Sequence, residues 1–183
     1  RDIEFDESGM MWVSTIDKGI ASFDGRRFVN FNSSTGLLTD QTRRFLRTRS
    51  GDYFICSVDK GIICVDPYLN QRIILSPEGD TVIYARDAIE LDNGNVWIAH
   101  GSGVLELEKS KGYAPRNILK CDNEIIKLYK DVKGDIWVVG TNTIIEYVKD
   151  SYTDFSHLIP PNTDVWDMLE ENTTGKLYFA TGS

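Results

Sequence analysis

The apolar residues of this chain fall into short runs that recur at a nearly constant interval. Each run follows a glycine, and an aromatic residue stands three positions after that glycine. The five matches are Gly9 with Trp12, Gly51 with Phe54, Gly94 with Trp97, Gly134 with Trp137, and Gly175 with Tyr178. Successive glycines are 42, 43, 40 and 41 residues apart, so the sequence contains an internal repeat of about 41 residues.

Each part of the repeat predicts an element of a sheet. Runs such as residues 137–139 are apolar without alternation, which is typical of a strand buried on both faces. An apolar segment before the anchor glycine predicts a preceding strand. The turn between these two strands starts at Asp6 in the first copy and at Asp131 in the fourth. The aspartate carboxylate can accept a hydrogen bond from a backbone N–H of the turn. Other copies carry Thr48, Leu91 and Asn172 at that position.

Two more strands complete the unit. A second glycine followed by a β-branched residue predicts a turn into a third strand, and a short fourth strand is expected at 29–31 and at 72–75. These second glycines are Gly19, Gly61 and Gly103, whereas the fourth copy has Thr143.

Four short antiparallel strands in about 40 residues are the signature of a propeller blade. Helical repeats would need an apolar period of 3.6 residues, which is absent from the sequence, and a sandwich would not keep a fixed unit. We therefore predict an all-β fold, a β-propeller of four-stranded antiparallel blades with about 4.5 repeats. The expected repeats are 1–40, 41–84, 85–123, 124–161 and a partial 162–183. This count predicts a segment of a larger ring or an open arc, because a closed ring needs whole blades.

Composition narrows the classes of partner. The net charge of −8 argues against nucleic acid or an anionic membrane as the main partner. No apolar run approaches the roughly 20 residues that a membrane-spanning helix needs, so we expect no membrane insertion by this segment. Cys56, Cys64 and Cys121 are too irregularly spaced for a disulfide scaffold or a zinc site. The two histidines are far apart in the repeat, so no metal and no cofactor are expected.

The repeat resembles the two-component-regulator propeller repeat over nearly the whole chain. The first copy matches best, with a connector at Gly36-Leu37 that often precedes the next blade. The matching residues are Asp6, Gly9, Trp12, Thr15, Gly19, Phe23 and Asp24. The resemblance implies the periplasmic sensor region of a hybrid two-component system of Bacteroidetes. It also implies an oligosaccharide ligand, further propeller and β-sandwich domains in the same chain, and a histidine kinase that this sequence does not contain.

Propellers bind ligands where loops converge at one end of the central channel. By this logic the candidate ligand-binding residues are Arg43, Arg86, Asp87, His100 and Trp166. Charged groups can bind sugar hydroxyls, while an aromatic ring stacks on the pyranose face. His100 replaces the small residue of other copies, and Trp166 lies outside the recurring aromatic position. The alternative for each residue is an ordinary role in packing or in a solvated loop.

Three functions stay open at this point. A non-catalytic sensor is the leading hypothesis, because no Ser-His-Asp or Cys-His arrangement can be assembled and no catalytic residue is expected. A lyase or hydrolase similar to the streptogramin lyases is the enzymatic alternative, with His100 as the one plausible base. A protein-interaction propeller is the third alternative, and a homodimer is also compatible with the sequence.

Overall fold

A computed structural model describes residues 2–6, 8–149, 151–171 and 173–182. They form five separate antiparallel sheets, of which four have four strands in chain order and the last has two. The all-β propeller prediction is confirmed, and the blades form an open arc. Among these residues, no helix is both long enough and apolar enough to cross a membrane. The turn position Asn172 lies outside the described residues.

The strands follow the order that the repeat predicts. The first strands are β1 (Asp2–Phe5), β5 (Thr42–Arg47), β9 (Asp87–Glu90), β13 (Ile125–Lys130) and β17 (Asp164–Glu170). The second strands are β2 (Met11–Ser14), β6 (Tyr53–Ser57), β10 (Val96–His100), β14 (Ile136–Gly140) and β18 (Leu177–Gly182). The third strands are β3 (Ile20–Phe23), β7 (Ile62–Val65), β11 (Gly103–Glu108) and β15 (Thr143–Val148). The fourth strands are β4 (Phe28–Phe31), β8 (Gln71–Ile74), β12 (Ala114–Lys120) and β16 (Ser151–Asp154).

The first strands are the inner strands of the arc. Neighbouring first strands contact one another from β1 through β5, β9 and β13 to β17. The fourth strands lie at the outside, and every residue of β4 and β16 is exposed to solvent. The residues of the first strands therefore line the side that corresponds to the channel of a propeller.

One apolar cluster fills each space between neighbouring blades. Between the third and fourth blades, Trp97 packs with Leu128 and Val138, and between the fourth and fifth, Trp137 packs with Val165 and Met168. The strands β10 and β14 are consequently buried on both faces, as their unbroken apolar runs predict. The end sheets differ, because their outer faces lack a neighbouring blade among the described residues.

The predicted turn aspartates have two functions. Asp131 Oδ1 accepts the N–H groups of Lys133 and Asp135, both at 2.9 Å, which confirms the expected turn bond. Its Oδ2 also accepts Trp137 Nε1–H at 3.2 Å, so the turn fixes the blade tryptophan. In the third blade, where Leu91 replaces the aspartate, the Nε1–H of Trp97 instead bonds Glu106 Oε1 at 3.2 Å.

The second glycine is required by its backbone conformation and by close contacts. Gly103 has φ = +134°, and a Cβ on it would lie 1.9 Å from the carbonyl oxygen of Leu119 on the outer strand. In the fourth blade, which lacks this glycine, Asn142 takes the left-handed conformation with φ = +49°. Asparagine tolerates this region better than most other non-glycine residues, so the fourth copy turns without the second glycine, with the positive φ one residue earlier.

Candidate functional site

One end of the arc, here called the loop end, carries the candidate binding residues. It consists of the turns between second and third strands and the connections that lead into the next first strand. Backbone hydrogen bonds join each turn to a connection, for example Val58 N–H to Gln41 O at 3.0 Å and Cys121 N–H to Ser102 O at 3.1 Å. The loop end is therefore held in place by the blades beneath it.

A row of alternating charges runs along the inner strands just below the loop end. Each member is paired in register with the small residue of the second strand, as Arg44 is with Cys56 and Asp87 with Ala99. We call this row the charge ladder, and its members are Asp2, Arg44, Asp87, Lys127 and Asp167.

Ion pairs connect the ladder from blade to blade. Arg44 Nη1 lies 2.7 Å from Asp2 Oδ2, and Arg44 Nε lies 3.0 Å from Asp87 Oδ1 without the direction of a hydrogen bond. Lys127 Nζ then lies 3.7 Å from Asp87 Oδ2 and 3.8 Å from Asp167 Oδ1. The ladder thus joins all five blades on the inner side.

The centre of the ladder is its most buried part. The side chain of Asp87 is only 4% exposed and that of Arg44 16%, while Asp167 at the end is 63% exposed. Burial disfavours the charge on Arg44, but the carboxylates of Asp87, Glu4 and Asp2 outweigh it and raise the pKa of the guanidinium. Burial also raises the pKa of Glu4, against the opposing effect of Arg44. Asp87, a predicted ligand residue, is thus placed inside this network and not at the surface.

Three other predicted residues share one position in the repeat. Arg43, Arg86 and Trp166 each come directly before a ladder residue, at the point where the first strand begins or bulges. Arg43 and Arg86 are half-buried, whereas Trp166 is 50% exposed and its indole covers Gly182. These side chains therefore mark the same level of the channel on blades two, three and five.

Arg86 is fixed by its neighbours on two blades. Its guanidinium forms an ion pair and a hydrogen bond with Glu124, which lies before the first strand of the next blade. Its backbone N–H donates to Ala99 O at 2.8 Å. The remaining N–H donors of this guanidinium can bind a ligand oxygen without a change of side-chain position.

His100 lines a separate cavity of about 440 Å³ at the same end. The cavity lies between the connection that follows the second blade and the outer strands of the third, and polar side chains line it together with Leu105 and Cys121. Glu78 accepts hydrogen bonds from Lys120 Nζ at 2.6 Å and from Asn117 Nδ2 at 3.2 Å, which holds the two sides together. The Lys120 bond lowers the pKa of Glu78 to about 2. The other polar lining residues are Ser76, Ser102 and Asp122.

A lowered pKa favours the neutral imidazole of His100 at pH 7, and one ring nitrogen then carries an N–H donor. Burial lowers its pKa, and a weaker attraction to Glu78 opposes that shift. Nδ1 accepts the N–H of Ser102 at 3.3 Å, so the proton of the neutral ring is on Nε2. Among the described residues, Nε2 is buried and has no hydrogen-bond partner. A buried donor without a partner is costly, and a ligand oxygen in this cavity would satisfy it.

Two other features of the chain fit a polar ligand less well. A cavity of about 220 Å³ between the first two blades has an almost entirely apolar wall that includes Trp12, Phe31 and Phe45. It offers few hydrogen bonds to a polar ligand. Asp131, Asp135 and Glu146 bring carboxylates within 4.8 Å of one another at the opposite end of the blade. The turn and tryptophan bonds of Asp131 account for that grouping, and burial raises the pKa of Glu146.

Asp87 is a sequence-predicted candidate, whereas the ladder to which it belongs was not predicted. The signal was present, since the five charged residues are 42, 43, 40 and 40 positions apart and alternate in sign. Recognising it required the pairing of strands, because the ladder position lies in segments that the repeat marks only as apolar.

Solved structures share this fold across almost the entire chain. The extracellular domain of the hybrid two-component system BT3049 from B. thetaiotaomicron gives a TM-score of 0.79 at 18% identity, covering 98% of this chain and 25% of that chain. The extracellular domain of BT4673 from the same organism gives 0.76 at 19% identity, covering 97% and 26%. The chain has the fold of these extracellular domains. The predicted resemblance to the two-component-regulator repeat is confirmed at the level of fold.

Other matches set the limits of this comparison. The chain spans about a quarter of the length of the two-component domains it matches. Virginiamycin B lyase from Staphylococcus aureus gives a TM-score of 0.74 at 13% identity, covering 97% of this chain and 61% of that chain. No protein-family model and no curated relative matches the sequence. The fold is therefore shared by extracellular domains of two-component systems and by a lyase, so the fold alone does not show the function.

Proposed function

We propose that this chain is a ligand-sensing propeller segment in the periplasmic part of a two-component regulator, and that its ligand is an oligosaccharide. The likeness in fold to two extracellular domains of two-component systems supports the sensor function. No Ser-His-Asp or Cys-His arrangement can be assembled from the sequence, which agrees with a non-catalytic role. Further propeller or β-sandwich domains of the same chain are the expected partners for signal transmission.

The cavity at His100 is the observation that supports an oligosaccharide as the ligand. A volume of about 440 Å³ is large enough for one or two sugar rings. The buried Nε2–H donor, the hydroxyls of Ser76 and Ser102 and the Glu78–Lys120 pair offer donors and acceptors on several sides. Arg86 and Trp166 at the same end would contact the rest of a longer saccharide.

Calorimetric titration of the chain with a panel of neutral and acidic oligosaccharides tests this proposal. We expect at least one saccharide to bind, and His100→Ala to weaken that binding about tenfold, because one hydrogen bond of about 1.4 kcal/mol is lost. His157→Ala is the matched control, since His157 is exposed in an outer segment and should leave the affinity unchanged. Binding that is equal in both variants, or no binding across the panel, would contradict the proposal.

The enzymatic alternative has a specific test. Virginiamycin B lyase shares the fold, and His100 is the candidate base of this chain. However, Glu78 is the acidic group whose charge acts on the pKa of His100. Its carboxylate already accepts hydrogen bonds from Lys120 and Asn117. Incubation of the chain with streptogramin B should therefore give no linear product. Turnover that disappears in His100→Ala would favour the lyase.

A further inference from the structure

The apolar cavity between the first two blades has four aromatic rings in its wall. The ring of Trp12 stacks on that of Phe45 with a centroid distance of 4.8 Å. The rings of Phe31 and Tyr53 lie 5.9 and 6.0 Å from Trp12. Both blades that enclose the cavity are complete four-stranded sheets, so this space of about 220 Å³ is internal to the repeat.

In the other three spaces between neighbouring blades, a ring from the next blade meets the anchor aromatic edge-on. The anchor aromatic is the residue three positions after the repeat glycine. The pairs, with their centroid distances, are Phe54 with Tyr113 (4.8 Å), Trp97 with Tyr147 (5.2 Å) and Trp137 with Phe179 (6.2 Å). Their ring planes are 64° to 86° apart, and such edge-to-face pairs are favourable. The three rings near Trp12 are stacked or tilted instead, at 20° to 52°.

Two of the edge-on rings stand at positions where the second blade has an aliphatic residue. Val65 corresponds to Tyr147, because each pairs with the residue before the anchor aromatic of its own blade. Ile55 corresponds to Phe179, because each directly follows the anchor aromatic. The second blade therefore supplies no ring from either position.

The third edge-on ring has an aliphatic counterpart as well. Leu69 corresponds to Tyr113, since both are the left-handed residues of the hairpin between the third and fourth strands, with φ of +69° and +64°. Leu69, Val65 and Ile55 all line the cavity. The cavity thus lies where the other blades place an aromatic ring.

The polar groups of the cavity wall already have partners within the chain. Gln71 Nε2 donates to Gly36 O at 2.7 Å, and its Oε1 accepts the N–H of Leu38 at 3.0 Å. Thr35 Oγ1 donates to Asn32 O at 3.0 Å and accepts the N–H of Asn32 at 2.8 Å. A ligand here needs no hydrogen bond, and a charged ligand would lose its hydration without gaining a partner.

We propose that this cavity binds a small uncharged molecule with one aromatic ring, which packs on Trp12. An apolar cavity of about 150 Å³ is large enough to bind benzene, so a substituted benzene fits the larger volume found here. Leu69 is 72% exposed, so the ligand enters past this hairpin. The site shares no lining residue with the His100 cavity and does not depend on the saccharide proposal.

Calorimetric titration of the chain with 4-methylphenol, the analogue of a tyrosine side chain, tests the proposal. We expect saturable binding at one site, whereas benzylammonium, a similar ring with a charge, should bind about tenfold more weakly. Val65→Tyr and Leu69→Phe each supply a ring from the chain itself. Both variants should therefore lower the affinity for 4-methylphenol about tenfold.

A matched control makes the result specific. Leu158→Phe makes the same change as Leu69→Phe at a position of the fourth blade that is 69% exposed, and it should bind like the wild type. Circular dichroism confirms folding, and Leu69→Phe alone suffices if Val65→Tyr fails to fold. The proposal is overturned by no saturable binding of 4-methylphenol, by equal affinity for benzylammonium, or by a Leu69→Phe variant that binds like Leu158→Phe.

Discussion

Removal of Arg44 should expose how much the charge ladder contributes to stability. Arg44→Met keeps an unbranched apolar stem but removes the guanidinium, and so leaves the buried Asp87 without its nearest cation. Breaking a buried pair by removing one partner costs about 3–5 kcal/mol. Asp87 keeps the N–H of Leu128 at 2.9 Å and Lys127 at 3.7 Å. We therefore expect a loss near the lower limit, about 3 kcal/mol at pH 7.

The loss of stability caused by Arg44→Met should depend on pH. Burial already raises the pKa of Glu4, and without Arg44 nothing comparable opposes it. A carboxyl with a raised pKa in the folded state contributes stability that is present at low pH and is lost as pH rises through the folded pKa. The penalty of Arg44→Met should therefore be smaller at about pH 4.5 than at pH 7.

Urea unfolding followed by tryptophan fluorescence measures both effects. Arg47→Met is the matched control, because Arg47 lies on the same strand with its side chain exposed, and it should change the free energy of unfolding by less than about 0.5 kcal/mol. If Arg44→Met lowers the free energy of unfolding no more than Arg47→Met does, or lowers it equally at both pH values, the charge ladder does not stabilise the arc.

Three further predictions concern single sites. Gly103→Ala should cost about 3 kcal/mol or more in urea unfolding, because its Cβ would collide with Leu119 O, whereas Gly112→Ala, with open space around it, should cost about 1 kcal/mol; equal costs would contradict this contact. Burial lowers the pKa of His100, so the folded protein should lose stability as pH drops through the pKa that His100 has in the unfolded chain. His100→Gln should lose less stability over this pH range, and superimposable pH profiles of the variant and the wild type would refute the prediction. Burial raises the pKa of the Cys56 thiol, so a thiol reagent should label this residue only after unfolding, as mass spectrometry of the labelled peptide can show; labelling in the native protein would refute its burial.

The blade architecture was predictable because each of its determinants is local. Glycine with an aromatic three residues later fixes a turn and a buried strand, and five copies at a constant spacing exclude other folds. The bond of the Asp131 carboxylate to its own turn was likewise predictable from the turn sequence. Its second bond to Trp137 was not predicted, because it depends on which way the indole turns inside the blade.

The candidate site was predictable only in part. Arg43, Arg86 and Trp166 were predicted as candidates because loops before the first strands converge in any propeller, and their role in binding stays a prediction. The cavity at His100 was not predicted, because it arises where the irregular connection around Glu78 meets Asn117 and Lys120 from the next blade. These contacts join variable segments about 40 residues apart, and a repeat pattern contains no information about them.

Hydrogen exchange with and without a bound saccharide tests the central claim most directly, because it locates the ligand on the chain. With a saccharide found by calorimetry, we predict added protection in the peptides that cover residues 76–87, 98–104 and 117–124 at the loop end. Protection confined to the opposite turns around Asp131 or Gly9, or no change at the loop end under saturating ligand, would contradict the assignment of the binding site.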